Sequence, residues 1–235
     1  MKLPDPEPLR WPRASRLVPA RYRAEECFER IQDPEEPGGA ALLARLCALT
    51  GAAGASDLDT LDPRHVLFGS GAGWINASFI TPRPGRFSTF RRGAFYLAGN
   101  LDTSLAEVRH HLQRDYRREG ITENLDLDYR ALTAHLEGAF PDIRSRLGAR
   151  ASWSDIYAPD SWAAAQAFGD RLREGGAACL VYASLRHPGG ACAAVFDPNR
   201  VRACRHDTYL TFRWNGREVA QIYEKRIIVG ASPRG

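Results

Sequence analysis

The stretch PGRFSTFRRGAFYLAGNLDTSLAEVRHH, residues 84–111, decides how the chain is read. It divides into a loop, a short strand, a turn and the first half of a helix. Pro82 and Pro84 end whatever precedes it, because neither can donate to a sheet ladder. From Gly93 to Ala98 aromatic and small apolar residues form a strand, with Ala94, Tyr96 and Ala98 on one face and Phe95 and Leu97 on the other. The small neighbours of Tyr96 leave room for a ligand. Asn100 or Asp102 suits the N-cap of the next helix, and Gly120 suits its end. Leu105, Val108, Leu112 and Tyr116 make its core stripe, and Glu107 points away from that stripe with His111 one turn on. A cation (Arg86), an aromatic hydroxyl (Tyr96) and a carboxylate (Glu107) thus arise on three consecutive elements.

Working outward toward the C-terminus, Leu125–Tyr129 alternates apolar and acidic residues and reads as an exposed or edge strand. Residues 131–150 read as short helices. Ser161–Arg173 reads as a helix closed by Gly175-Gly176. Ala177–Ser184 and Ala191–Phe196 are apolar strands around a turn, and Thr208–Trp214 and Arg217–Glu224 flank Asn215-Gly216, a strong hairpin signal. Toward the N-terminus, His65–Ile80, with Val66-Leu67-Phe68, a Gly-rich turn and then Trp74–Ile80, reads as holding at least one strand, and Ala40–Leu49 reads as a helix. Cys27, Phe28 and Ile31 mark an ordered segment. Residues 1–21, rich in Pro and Arg, read as an extension over the surface. The expected organisation is an N-terminal extension over 1–21, one domain over 22–228 and a tail over 229–235. The class is α+β, a split, mainly antiparallel twisted sheet with surrounding helices.

Composition narrows the function. The 235 residues suffice for a substantial core, and 44% hydrophobic with 26% charged residues is ordinary for a globular protein. A net charge of +4 from 32 basic and 28 acidic residues is too balanced for a strong non-specific nucleic-acid binder. Apolar runs are too short to span a bilayer, and MKLPDPEPLRWPR lacks the apolar core of a signal peptide, so the expected location is cytoplasmic. Nearly all the basic residues are Arg, with Lys only at 2 and 225. Five cysteines (27, 47, 179, 192 and 204) show no CxxC and read as small buried thiols. No metal-ligand spacing is present, since the side chains of adjacent His110 and His111 diverge on a helix.

Taken singly, the candidate residues are each also explained by structure alone. Arg86 offers a planar fork to phosphate oxygens or is a surface arginine. Glu107 stabilises developing positive charge or is a solvated helix residue. Tyr96 is a ligand contact or core packing. Ser184, at the end of an apolar strand and followed by Leu185-Arg186-His187, caps a turn or binds a phosphate or ribose; a G-x-S-x-G elbow is missing. Gly69-Ser70-Gly71-Ala72-Gly73 is no phosphate loop, and the alternation of a dinucleotide-binding βαβ fold is missing.

Taken in order, these residues resemble the RES domain, a family named for shared Arg, Glu and Ser. GRFSTFRRGAFYLAGNLDTSLAEVRHH is similar to its Gly-Arg-aromatic loop, apolar-Tyr-apolar strand and Ala-Glu helix, and CLVYASLRHPGGACAAVFDP to its Tyr-x-Ser-x-Arg strand and turn. Phe28-Glu29-Arg30-Ile31 is similar to an early aromatic-x-Arg-apolar strand, with Arg23 a competitor for that arginine. Where many members have Gly-Arg-Trp-Asn, this chain has Gly85-Arg86-Phe87-Ser88, as in a longer Arg-Phe-Ser branch. The resemblance runs over residues 22–225. It implies a fold similar to the ADP-ribosyltransferase toxins, with NAD in the cleft as substrate rather than as a resident cofactor. It also implies cleavage of NAD by water or by inorganic phosphate as co-substrate. The implied partner is a small antitoxin with an Xre-like helix-turn-helix, and direct nucleic-acid binding by this chain is not expected. Homo-oligomerisation stays open. The resemblance gives Arg30 and Arg86 to phosphates, Tyr96 to the nicotinamide ribose, Glu107 to the sugar cation and Ser184 to a phosphate or ribose hydroxyl. Two other outcomes stay open: transfer of ADP-ribose to a protein, and a catalytically inactive protein that keeps the cleft.

Overall fold

The computed structural model of the protein describes residues 3–20, 66–146 and 151–226. The expected helix Ala40–Leu49, the segment around Cys27, Phe28 and Ile31, and both Arg23 and Arg30 lie outside these residues. The seven strands are β1 (Pro6–Pro19), β2 (Phe95–Ala98), β3 (Asn124–Pro141), β4 (Cys179–Ala183), β5 (Ala191–Val195), β6 (Val201–Asn215) and β7 (Val219–Lys225). They form one antiparallel sheet in the order β4-β5-β2-β1-β3-β6-β7. The helices are α1 (Ala72–Ile80), α2 (Leu101–Arg118), a four-residue turn α3 (Ala151–Ser154) and α4 (Ala163–Glu174). The class is α+β, as expected.

The sheet is split in its middle. β1 pairs with β3 from Pro6↔Pro141 to Pro19↔Tyr129, but with β2 only at Ser15↔Ala98. A separate bridge, Asp142↔Val181, ties the far end of the β3 half to β4. Two helices cover one face on either side of the split. α2 lies over the β1–β3–β6–β7 half, packing Leu105, Val108 and Leu112 on Leu17, Ala131, Phe212 and Trp214. α4 lies over the other half, with Ala165, Phe168 and Leu172 against Ala94, Leu180 and Ala194. α1 covers the opposite face, where Ile75 meets Phe95, Leu97 and Val195.

α2 follows its sequence closely. The Asn100 side chain accepts from Thr103 N at 2.9 Å, and the chain leaves the helix through Gly120 at φ +68°. The C-terminal hairpin and the β4/β5 pair also stand where the alternation put them.

Three expectations fail. Residues 3–20, the described part of the expected extension, do not run over the surface: Pro6–Pro19 is the middle strand of the sheet, with Ala14 and Ser15 buried. Its prolines disguised it. Pro6 and Pro8 lie on the part of β1 that β2 does not reach, and Pro12 falls in the register break between Trp11 and Ala14. Open edges and bulges are where a strand tolerates proline. Residues 131–141 are not short helices but the second half of β3, where Ala131, Leu132, Thr133 and Ala134 are successively buried. A strand walled on both sides and both faces loses alternation, and its Ala and Leu then read as helical. Residues 66–80, the described part of the stretch expected to hold a strand, hold none, and Trp74–Ile80 is most of α1. Its buried Asn76 exchanges two hydrogen bonds with the Leu67 backbone, at 3.0 and 2.8 Å, a local partner the sequence pattern does not reveal.

Candidate active site

Where the sheet splits, a cleft of about 420 Å³ opens between the α2 and α4 sides. Arg86, Tyr96 and Glu107 all line it, joined by Arg16, Tyr182 and Trp162 from distant parts of the chain. Its floor is a cross-strand row, Ala98 on β2, Cys192 on β5 and Tyr182 on β4, paired in register. Of the two small residues on the Tyr96 face, Ala98 lines the cleft and Ala94 packs in the core under α4.

The split leaves backbone groups to be satisfied, and Arg16 does this. Beyond Ser15↔Ala98 the Tyr96 carbonyl has no strand N–H to accept from, so Arg16 Nη1 donates to it at 3.0 Å. Nη2 reaches Ser78 Oγ at 3.2 Å, and the guanidinium lies 4.5 Å from the Phe95 ring centroid. Burial lowers the Arg16 pKa to about 10, which leaves it charged at neutral pH. Sequence reading missed Arg16 because it sat in the supposed extension.

The Arg86 loop is a tight reverse turn, with Gly85 N donating to Ser88 O at 3.0 Å. Tyr96 holds it from below: its hydroxyl accepts from Phe87 N at 2.9 Å and donates to Ser88 Oγ at 3.0 Å. A Cβ at Gly85 would come within 2.8 Å of that hydroxyl, so the close approach requires glycine. Gln166 Nε2 donates to Gly85 O and Ser88 O, both at 3.0 Å. Arg173 Nη2 donates to Phe87 O at 2.8 Å and to Gly93 O at 2.9 Å. Phe87 is fully buried. The departure to Arg-Phe-Ser therefore has a structural use: Phe87 anchors the turn and Ser88 receives Tyr96.

Arg86 Nη1 donates to Ile156 O at 2.9 Å and Ala158 O at 3.0 Å. This holds the segment that carries Pro159 and Trp162 to the cleft wall. Its Nε and Nη2 make no hydrogen bond among the described residues. Burial lowers the Arg86 pKa, while Tyr182 and Glu107 oppose that shift.

On the other wall, Ser184 Oγ donates to Glu107 Oε1 at 2.6 Å while accepting from Arg186 N and His187 N at 3.1 and 3.0 Å. Ser184 is buried, and its hydrogen-bonding capacity is taken by the protein. It orients Glu107 and caps its own turn; a direct contact with a phosphate or ribose has no spare donor here. His111 Nε2 lies 3.7 Å from Glu107 Oε2, beyond a hydrogen bond. Burial and Arg114 push the His111 pKa down to about 4, so the ring is neutral at neutral pH and the contact is no ion pair. Glu107, which lines the cleft, thus has one oxygen fixed by Ser184 and the other without a hydrogen bond among the described residues.

The turn behind Ser184 is pinned in its own right. Thr103 Oγ1 and His187 Nδ1 are 2.8 Å apart, linking the start of α2 to the β4–β5 turn. Burial raises the pKa values of Cys179, Cys192 and Cys204, so these three are un-ionised thiols. Among the described residues no cluster of three His, Cys, Asp or Glu could hold a metal, and no helix is long and apolar enough to cross a membrane.

The RES domain family model matches residues 63–215, more than half of the chain. The protein belongs to the RES domain family. The matched range holds Arg86, Tyr96, Glu107 and Ser184, and β1 with Arg16 lies outside it. Among solved structures the chain is similar to one described as the crystal structure of the M. tuberculosis MbcT-MbcA toxin-antitoxin complex. The two share 12% identity at a TM-score of 0.46, over 88% of this chain and 86% of the other. No curated protein matches.

Proposed function

We propose that the protein is a NAD-consuming toxin that breaks the nicotinamide–ribose bond, with water or inorganic phosphate as acceptor, and that an Xre-like antitoxin partners it. The observation that carries this reading is the pairing, in one cleft, of an arginine that spends only Nη1 on backbone carbonyls with a carboxylate held by a serine, in a chain of the RES family.

The chemistry needs little more. Nicotinamide leaves as a neutral molecule from a cationic ring, so the C1′–N bond breaks without strong acid help. The positive charge then moves onto the ribose. A carboxylate placed beforehand stabilises that charge more than the ground state, which is what lowers a barrier. Glu107 takes this role, with Ser184 removing one oxygen from competition. Arg86 takes pyrophosphate oxygens through Nε and Nη2, and the buried charge of Arg16 adds to the field from the sheet side. The electron pair of the C1′–N bond departs with nicotinamide. An acceptor oxygen then bonds to C1′ and loses its proton to solvent, giving ADP-ribose from water or ADP-ribose 1-phosphate from phosphate. Tyr96 acts through the Arg86 turn, because both of its hydroxyl bonds are spent on Phe87 and Ser88.

Incubation of the purified protein with NAD labelled in the ADP-ribose moiety, with and without phosphate, tests the reading. The expected result is free nicotinamide with label on ADP-ribose or its 1-phosphate. Label retained on protein would replace the reading with protein ADP-ribosylation, and intact NAD would overturn it.

A further inference from the structure

Tyr96 and Ser184 spend their hydroxyls on the protein. Another hydroxyl near Arg86 and Glu107 belongs to Tyr182, the tyrosine of the Tyr-x-Ser-x-Arg stretch, to which the reaction scheme gives no role. Tyr182 stands at the β4 end of the floor row, directly paired with Cys192 and facing the cleft. Its ring packs edge-on against the buried Phe87, with centroids 4.9 Å apart, so the anchor of the Arg86 turn also fixes the tyrosine. Two residues on, the same strand end delivers Ser184 to Glu107. Tyr182 therefore sits between the arginine wall and the carboxylate wall, and both Arg86 and Glu107 act on it electrostatically. Its cross-strand partner Cys192 offers only a thiol, a weak hydrogen-bond partner. Burial, with Cys192, Tyr96 and Glu107 nearby, raises its pKa well above 10, so it stays a neutral donor at neutral pH.

We infer that Tyr182 is a further substrate-contacting residue, whose hydroxyl donates to a phosphate oxygen of the ligand between Arg86 and Glu107. This rests on the reading of the cleft as a site for a pyrophosphate-bearing substrate. A neutral donor suits that place. It adds a hydrogen bond to the anion without placing a second cation beside the point where the sugar must become positive. The contact is made in ground state and transition state alike, so it contributes to binding.

The Tyr182→Phe variant keeps the ring against Phe87 and removes only the hydroxyl. Inorganic pyrophosphate binding to wild type and variant is measured by calorimetry, together with the kinetics of nicotinamide release from NAD. The expected result is an affinity for pyrophosphate about tenfold weaker and a KM for NAD raised by about the same factor. The kcat should change little, and the melting temperature should stay close to the parent's. Equal pyrophosphate affinities, or a variant altered only in melting temperature, would overturn the inference, as would a wild type that binds no pyrophosphate. A wild type that binds pyrophosphate but leaves NAD intact sinks the proposed reaction instead, and the two affinities still score the residue.

Discussion

β1 meets its two neighbours very differently. Along β3 it pairs from end to end, and every position from Ala131 to Ala134 opposite it is buried. Toward β2 it pairs once, at Ser15↔Ala98, and the cleft opens there. On the continuous side the ladder to β3 supplies the partners, apart from the register break between Trp11 and Ala14. The split side has orphan groups, and side chains fill them: Arg16 on the Tyr96 carbonyl, Arg86 on the carbonyls of residues 156 and 158. The lesson is that this site is built where the sheet stops pairing, so the groups that stabilise the gap also carry its charge.

That contrast can be broken by substitution on each side. The largest effect on stability is expected at Leu132→Ala, on the continuous side. Removing a fully buried side chain should cost about 2–5 kcal/mol in chemical denaturation. The NAD turnover per folded molecule should be unaltered. A loss of turnover in the folded protein would show that the two sides are not separable.

Arg16→Met should have a smaller effect on stability, about 1–3 kcal/mol, because it leaves the Tyr96 carbonyl without its donor while keeping much of the packing on Phe95. Unlike Leu132→Ala it should also weaken pyrophosphate binding. If binding is unchanged, Arg16 only fills the gap and adds nothing to the site.

The same contrast explains what could be read from the amino-acid order. Arg86, Tyr96 and Glu107 were legible because they fall on three consecutive elements with local signals: prolines before the loop, alternation in β2, and a cap and stripe in α2. The β6–β7 hairpin and the β4–β5 pair were legible for the same reason. The middle strands were not. β1 carries prolines that are harmless only at its open edge and its bulge, and the buried half of β3 loses alternation. Both facts depend on neighbours that are distant in sequence. Roles were harder than places. Ser184 is buried behind the cleft, where its partners show it holding Glu107, and Tyr96 holds the Arg86 turn. Gln166 and Arg173, which support that turn, carried no signal beyond lying on a helix.

The central claim is that Glu107 stabilises a sugar cation formed from NAD in this cleft, and nicotinamide release by wild type and Glu107→Gln tests it most directly. The amide keeps the shape and removes the charge. The account predicts a folded variant whose rate falls by roughly 30- to 1000-fold, the loss of one charge-assisted contact made mainly in the transition state. A folded Glu107→Gln protein that releases nicotinamide at the wild-type rate would contradict it.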